Sequence, residues 1–560
     1  MPLSTRYNTS GNRLGLSSSS SAALRRLREG NDSYTTYSSA PTRRLNLLNP
    51  SLPVLEAKSA SSNTSVVKKE TRRVRKKREW IERKECQTLE PQKSRYYGDW
   101  ALLPDLILQK IFQYIPYQTR LVASLTCINW SKMVYINTIW SEFVVHDSTF
   151  TNSRFNYAGK FYEEVLNHLK ASRALNGLAP KLKHLSFRPT KNLHVVVSFQ
   201  QLISKYCEFN GPLPKIQSFS YVFPCDFARK SNEIDIYGTG GTILQDMKDL
   251  LNYLPGIKKL ELKDLELDTF DATHVLDEVS EVCCLQIENL KIVNISRSPL
   301  SMLAIATFIN LQSLTISPHN ISDDLVECFG DMKKLRNVQI LTNAYTECRS
   351  VIVDYRIWRQ CRRSNPKLRV HLITEGKHKN ELTFQNKAPI KSIVYDTPYS
   401  KISAIAINLT VEMYKTDLEI YAHKRLPRFH THRGFVNRPD SAYLYLVRQC
   451  PYLHTLMIRE RISSATVLLL AYTGKNLRYF HVRKTAIILK CDWKRSLDWS
   501  DEFYSWLRKN SRTYEDMERE VSQIFGFRWY ALSDKQFKLT PVNVNVPYFY
   551  EGFDEAYATY

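Results

Sequence analysis

Short apolar strings with side chains at positions i, i+3 and i+5 recur along this chain, and no other feature limits its fold so strongly. They are Leu182-Leu185-Phe187, Ile257-Leu260-Leu262, Val282-Leu285-Ile287, Leu311-Leu314-Ile316, Leu335-Val338-Ile340, Leu453-Leu456-Ile458 and Leu477-Phe480-Val482. Weaker copies stand at Ile216-Phe219-Tyr221 and Ile390-Ile393-Tyr395. Central residues 260, 285, 314 and 338 are 25, 29 and 24 positions apart, and 456 and 480 are 24 apart. The last two apolar residues of each string alternate, so a β-strand would point both into one core. Helical patterns lie between strings. Leu244, Met247, Leu250, Leu251 and Leu254 precede the strand at 257. Ser322 is placed to cap a helix carrying Leu325, Phe329 and Met332, with Asp323 and Asp324 in its first turn. Tyr443, Leu446, Val447 and Cys450 precede the strand at 453, and turns at Leu254-Pro255-Gly256, Asn365-Pro366 and Gly474-Lys475-Asn476 separate helix from strand. A unit of this length buries its apolar face only against neighbours. The pattern predicts a solenoid over residues 170–490, with helices outside and parallel strands inside.

The remainder of the chain differs in composition. Hydrophobic residues make up 43% of the 560, enough for a large core. The net charge is +24, and residues 1–98 carry +12 of it. That arm has five consecutive serines at 17–21 and little apolar periodicity, which predicts disorder. Its end, KKETRRVRKKREWIERK at 68–84, is basic at ten of 17 positions. Lys68, Lys69, Arg72, Arg73, Arg75, Lys76, Lys77 and Arg78 form a candidate nuclear-import signal. A solvated charged helix and a nucleic-acid contact are the other readings. Eleven cysteines without C-x-x-C spacing read as free thiols in a reducing compartment. Met1 to Gly15 lacks the apolar stretch of a secretory signal, and the longest apolar run, Val467 to Ala471, falls short of the ~20 residues a bilayer requires. Cytoplasm and/or nucleus is the expected location, with no membrane partner.

Residues 100–145 form a densely apolar module. Ile107, Leu108, Ile111, Phe112 and Ile115 define one broad helical face, with Pro104 and Asp105 at its start and Pro116 at its end. A second helix is expected from Thr119 to about Ile136. Its apolar residues fall in two sets: Leu121, Leu125 and Ile128, then Ala123, Cys127, Trp130 and Val134. A helix apolar on two sides must bury two sides, and some forty residues cannot do so alone. The second surface calls for another protein or another domain.

The string LPDLILQKIFQYIPYQTRLVASLTCINWSKMVYINTIW resembles an F-box. Leu103, Pro104, Asp105, Leu108, Ile111, Phe112, Ile115, Pro116, Leu121, Ser124, Leu125, Cys127, Trp130 and Trp140 match in order, and Leu106 departs from the family's frequent Glu. The resemblance implies a three-helix module that docks on the Skp adaptor of cullin-RING ubiquitin ligases. It assigns adaptor binding to Leu103, Pro104, Leu108, Ile111, Phe112, Ile115, Pro116, Leu121, Cys127 and Trp130, with Leu103-Pro104 as the usual insertion point. With the repeats, the chain resembles leucine-rich-repeat F-box proteins. The implied fold is α/β, a small all-α F-box module followed by a leucine-rich-repeat-like solenoid with a disordered N-terminal arm.

Other chemical signals are weak. Gly238-Thr239-Gly240-Gly241 lacks the third glycine of a dinucleotide fingerprint and reads as a loop. His423, His430 and His432 stand among Lys424, Arg425, Arg428 and Arg433, with no Cys or acidic partner at ligand spacing. They read as a surface loop, or as a basic loop that meets an acidic degron or phosphate. Cys127 reads as core. No catalytic residue, metal or cofactor is expected. Residues 491–560 are expected to hold one helix from Tyr514 to Ile524, with Met517, Val521 and Ile524 on one face, and an extended tail, PVNVNVPYFYEGFDEAYATY.

The resulting expectation is a non-catalytic substrate-recognition subunit, its partners the Skp adaptor, through it a cullin-RING ligase, and an unknown protein substrate. The alternatives are an F-box scaffold without a ligase role and a nucleic-acid binder using the basic arm. Charge placement disfavours nucleic acid, because the basic excess lies outside the repeats without interleaved stacking aromatics.

Overall fold

The computed structural model describes residues 100–542, apart from 116, 158–160, 226–239, 348–351, 378–381, 401 and 429–433. The N-terminal arm with its import candidates Lys68 to Arg78, together with Pro116, Gly238, Thr239, His430, His432, Arg433 and the tail from 543, lies outside the described residues.

Three helices open the described chain: α1 (Asp105–Tyr114), α2 (Tyr117–Ser124) and α3 (Ile128–Lys132). Two 3-10 turns, Met133–Tyr135 and Asn137–Trp140, lead into β1 (Glu142–Val145). An antiparallel hairpin follows, β2 (Thr151–Asn156) and β3 (Phe161–Leu166). Then come β4 (His184–Phe187), β5 (Ser218–Val222), β6 (Lys259–Lys263), β7 (Asn289–Val293), β8 (Ser313–Ile316) and β9 (Asn337–Thr342). They are followed by β10 (Arg369–Glu375), β11 (Ile390–Asp396), β12 (Ile420–His423), β13 (Thr455–Ile458), β14 (Ile462–Ser463), β15 (Tyr479–Val482) and β16 (Ile487–Ile488).

Twelve of these strands form one sheet in the order β1-β4-β5-β6-β7-β8-β9-β10-β11-β12-β13-β15, and each neighbouring pair is parallel. Strands adjacent in the sheet follow one another along the chain, so each must be reached by a crossover. The register aligns apolar side chains. Phe143, Leu185, Phe219, Leu260, Leu290, Leu314 and Val338 stand in one row, all buried. An irregularity between Val370 and His371 moves the row by one level, and Leu372, Ile393, Tyr421, Leu456 and Phe480 continue it.

The expected strings mark strands in eight of nine cases. Val282-Leu285-Ile287 does not. It covers the end of the helix Thr269–Cys283 and the turn after it, and Leu285 is 57% exposed. The strand is β7, and Leu290 and Ile292 within it, with Ile287 two residues before its start, keep the spacing and are buried. Val275, Leu276, Val279 and Cys283 already form the helix's buried face, and at its end the helical period overlaps the strand template. The sheet also starts earlier than residue 170, because Trp140, Phe143 and Val145 fit the template and are buried. Strand β12 was hidden by composition: Leu418, Tyr421 and His423 keep the spacing, but one of the three is a histidine.

Helix caps follow the expected chemistry. Ser322 Oγ accepts the Leu325 N–H at 3.1 Å, and the buried face of Asp323–Asp331 is Leu325, Val326, Phe329 and Gly330. Ser322→Ala is expected to cost about 1 kcal/mol, read as a lowered urea midpoint with unchanged slope. The helix Tyr514–Phe525 buries Met517 and Val521, whereas Ile524 reaches the surface, and Gly526 at φ 74° ends the helix. Two further helices, Asp501–Asn510 and Asp534–Leu539, flank it.

Candidate functional site

α1 starts after Pro104 with Asp105 in its first turn. It ends at Tyr114, and Ile115 is extended (φ −75°, ψ 131°), as sterics require of a residue before proline. Leu108 and Phe112 point inward and are 0% exposed. The Phe112 ring meets Trp130 edge-on, centroids 5.6 Å apart. Trp130 Nε1 donates to the Trp100 carbonyl at 3.0 Å, and Asn129 Nδ2 donates to the carbonyls of Ala101 (3.2 Å) and Leu103 (3.1 Å). These bonds tie the entry of α1 to α3.

Arg120 organises the other end. It is buried, and its guanidinium donates to the carbonyls of Ile115 (2.8 Å), Gln113 (3.3 Å) and Ile139. It also lies 5.9 Å from the Trp140 ring. A helix C-terminus leaves carbonyls without partners and favours a cation, so one arginine satisfies α1 and fixes the turn that leads into β1. Sequence reasoning missed Arg120, because an arginine reads as surface by type.

The expected single helix from Thr119 to Ile136 is broken. Ser124 Oγ donates to the Leu121 carbonyl (2.6 Å), Thr126 Oγ1 donates to that of Ala123 (2.9 Å), and Cys127 is extended (φ −157°, ψ 167°). Hydroxyls that claim carbonyls three residues back compete with helix continuation.

The two apolar sets part company at this break. Ala123, Cys127, Trp130 and Val134 are half-buried, while Leu121, Leu125 and Ile128 face water, with Leu125 84% and Ile128 80% exposed. Of the ten residues assigned to adaptor binding, Pro104 and Leu121 are exposed, and Leu103, Ile111, Ile115, Cys127 and Trp130 are half-buried. Leu108 and Phe112 are buried inside the module, where the helix that carries them packs on the turn Met133–Tyr135 and Phe112 meets Trp130 of α3. The exposed aliphatic side chains outside that set are Leu102, Leu106 (80%), Ile107, Val122, Leu125 and Ile128, and the aromatic Trp100, Tyr114 and Tyr135 are exposed as well. The six aliphatic ones stand within 27 residues of one another along the chain. The two-sided pattern left open which of the two sets would face water.

The sheet carries a second set of candidate residues. Lys263 Nζ at the end of β6 lies 2.9 Å from Glu375 Oε2 at the end of β10, four strands away. In a flat sheet those strands would be ~19 Å apart. The sheet therefore curls strongly toward the face bearing these side chains. Lys291 pairs with Glu261 at 2.7 Å, and Ser220 Oγ donates to Glu261 at 2.6 Å. Burial raises the Glu375 carboxyl, but Lys263 and Lys291 outweigh it and bring its pKa to about 2. Burial, with help from Arg369 and Lys391, lowers His371 to about 3.

Past the strand ends, Asp264, Glu266 and Asn294 occupy left-handed backbone (φ 60°, 51° and 50°). Asn294 Nδ2 donates to Asp264 Oδ1 and Asn343 Oδ1, both at 2.7 Å, and Asn343 Nδ2 donates to Asp264 Oδ1 at 2.8 Å. Glu266 is buried beside them with Oε1 unpartnered. Burial, then the Asp264 charge, pushes its pKa up to about 8. The unfolded carboxyl titrates near 4.5, so folding stability is full below that pH and declines as pH rises toward 8. Glu266→Gln is expected to remove this decline and to raise stability at pH 7 by on the order of 2 kcal/mol. Melting curves at pH 5 and pH 8 on both proteins check the sign.

The remaining signals are placed differently from expectation. His423 is not in a surface loop but is the buried end of β12, stacked on Tyr395 at 4.6 Å. Lys424 and Arg425 find an acidic partner in Asp396, at 3.0 and 2.6 Å. Gly240 and Gly241 precede the helix Thr242–Asn252, with Gly241 at φ 69°. Among the described residues, no disulfide joins the cysteines, no group of three His, Cys, Asp or Glu side chains could hold a metal, and no helix is long and apolar enough to cross a membrane.

Residues 100–146 match the F-box-like family model. The matched segment runs from Trp100 through α1, α2 and α3 into β1, and it contains the exposed apolar side chains described above.

Proposed function

We propose that this chain is the substrate-recognition subunit of a Skp–cullin–F-box E3 ubiquitin ligase. F-box domains generally bind the Skp adaptor, and the carrying observation is the exposure of Leu106, Leu121, Leu125 and Ile128 within the matched segment. A buried counterpart would gain about 25 cal/mol for each Å2 removed from water. The parallel sheet with its intervening helices reads as a leucine-rich-repeat-like solenoid that holds a protein substrate. The opening WALLPDL, the run FINLQSLTISPHNISDDLVECF and the charged helix near the end resemble F-box only proteins 39 and 33. The chain itself performs no bond chemistry in this reading. It raises the effective concentration of substrate near a ubiquitin-charged conjugating enzyme, in the cytoplasm and/or nucleus.

The test is co-purification of the full chain with a recombinant Skp adaptor. Leu103→Ala with Pro104→Ala is expected to lose the adaptor while the melting transition of the body persists. Unchanged co-purification would refute the reading. A ubiquitination assay with the assembled complex separates a ligase subunit from a scaffold.

A further inference from the structure

The sheet has an entry edge, where the chain passes from turn to strand, and backbone bonds hold it in step. Arg369 N–H donates to the Arg336 carbonyl at 2.8 Å, Arg336 N–H donates to that of Gln312 at 2.8 Å, and Glu419 N–H donates to that of Lys391 at 2.8 Å. Neighbouring strands lie ~4.8 Å apart, so residues near this edge come close together without sharing one step of the ladder. Arg369 stands opposite Asn337, Arg336 one residue before it, Lys391 at the irregularity between β10 and β11, and Lys367 on the turn into β10. Together with Glu419 these four cations line an open groove. Glu419 is shared, 3.2 Å from Lys391 and 3.9 Å from Arg369. Arg336 and Lys367 are exposed and form no ion pair among the described residues. Along the same edge a second groove carries Lys258, ion-paired with Glu288 at 3.3 Å, and Lys334, which donates to Asn310 Oδ1.

We infer that this entry edge binds an extended acidic segment of the protein substrate. The inference rests on the ligase reading and adds the chemistry of the substrate to it. Unpaired cations in a groove gain most from carboxylates that arrive with their own spacing. A protein segment fits better than nucleic acid. Among the described residues, no aromatic side chain lines either groove to stack a base.

The probe is a fluorescein-labelled decaglutamate peptide, titrated by anisotropy against the full chain at low ionic strength, with decaglutamine as the neutral control. Arg336→Glu with Lys367→Glu is expected to weaken decaglutamate binding about tenfold or more, and Arg336→Gln with Lys367→Gln by less. Arg75→Glu with Lys76→Glu, in the basic arm, is expected to change it by less than about threefold. The inference is overturned if the groove variant binds within about twofold of the wild type, or if only the arm variant loses binding. It is also overturned if a 20-base-pair duplex binds the groove as tightly with the same sensitivity to Arg336→Glu and Lys367→Glu. Adaptor co-purification is scored on the same samples. A chain that recovers the adaptor but ignores decaglutamate contradicts the groove alone, and one that binds decaglutamate but never recovers the adaptor contradicts the ligase reading.

Discussion

A chain carrying Leu125→Asp with Ile128→Asp is expected to recover no Skp adaptor on co-expression and to melt no lower than the wild type. Both side chains are more than three-quarters exposed in the free chain, so replacing them removes little that the fold uses. In a complex the same positions would be covered. Each apolar side chain is then worth about 1.5–3 kcal/mol, and a carboxylate buried without a partner adds a desolvation cost of several kcal/mol. Together they exceed the ~4 kcal/mol that separates tight binding from a thousandfold loss. Leu108→Asp should behave in the opposite way. It lies wholly inside, so it should lower the melting temperature, and any loss of adaptor would follow from loss of structure.

The second large effect is expected at Asp440. This carboxylate is 0% exposed at the start of the helix Asp440–Gln449 and accepts from Arg438 Nε (2.9 Å) and Nη2 (3.4 Å). It also accepts from the Ser463 N–H (2.9 Å), Ser463 Oγ (3.2 Å) and Thr466 Oγ1 (2.5 Å). One side chain thereby joins the loop before its helix to β14 and the helix Ser464–Thr473. Asp440→Ala removes one carboxylate from the buried Arg438 guanidinium, which keeps Asp492 at 2.6 Å, and takes the acceptor from the Ser463 N–H. Breaking such a buried pair costs about 3–5 kcal/mol, to be read as the shift of the urea midpoint. Asp440→Asn keeps the acceptor oxygen and should fall between the two.

The parallel sheet was legible because a strand of this kind writes an i, i+3, i+5 spacing that survives substitution among Leu, Ile, Val and Phe. Where the core turned to other residue types, legibility failed. Strand β12 turns Tyr421 and His423 inward, and β1 is entered by Trp140, so neither resembled its neighbours in composition. At Val282-Leu285-Ile287 the spacing was present but belonged to a helix end, since short windows of the two periods coincide. The module at 100–146 was legible as two-sided. Its details depend on polar groups that the hydrophobic pattern does not report: the hydroxyls of Ser124 and Thr126 that break the helix, and the buried Arg120 that closes α1. The entry-edge cations were invisible for a different reason. Arg336, Lys367, Arg369 and Lys391 are spread over 56 positions of sequence, and only the parallel register gathers them.

The central claim is that the open face of the F-box-like module is the surface an adaptor covers. Leu125→Cys, labelled with maleimide and quantified by peptide mass spectrometry with and without recombinant Skp adaptor, tests it directly. Rapid labelling in the free chain and strong protection in the complex are the predicted result. Slow labelling in the free chain, or equal labelling once the adaptor is bound, would contradict the account.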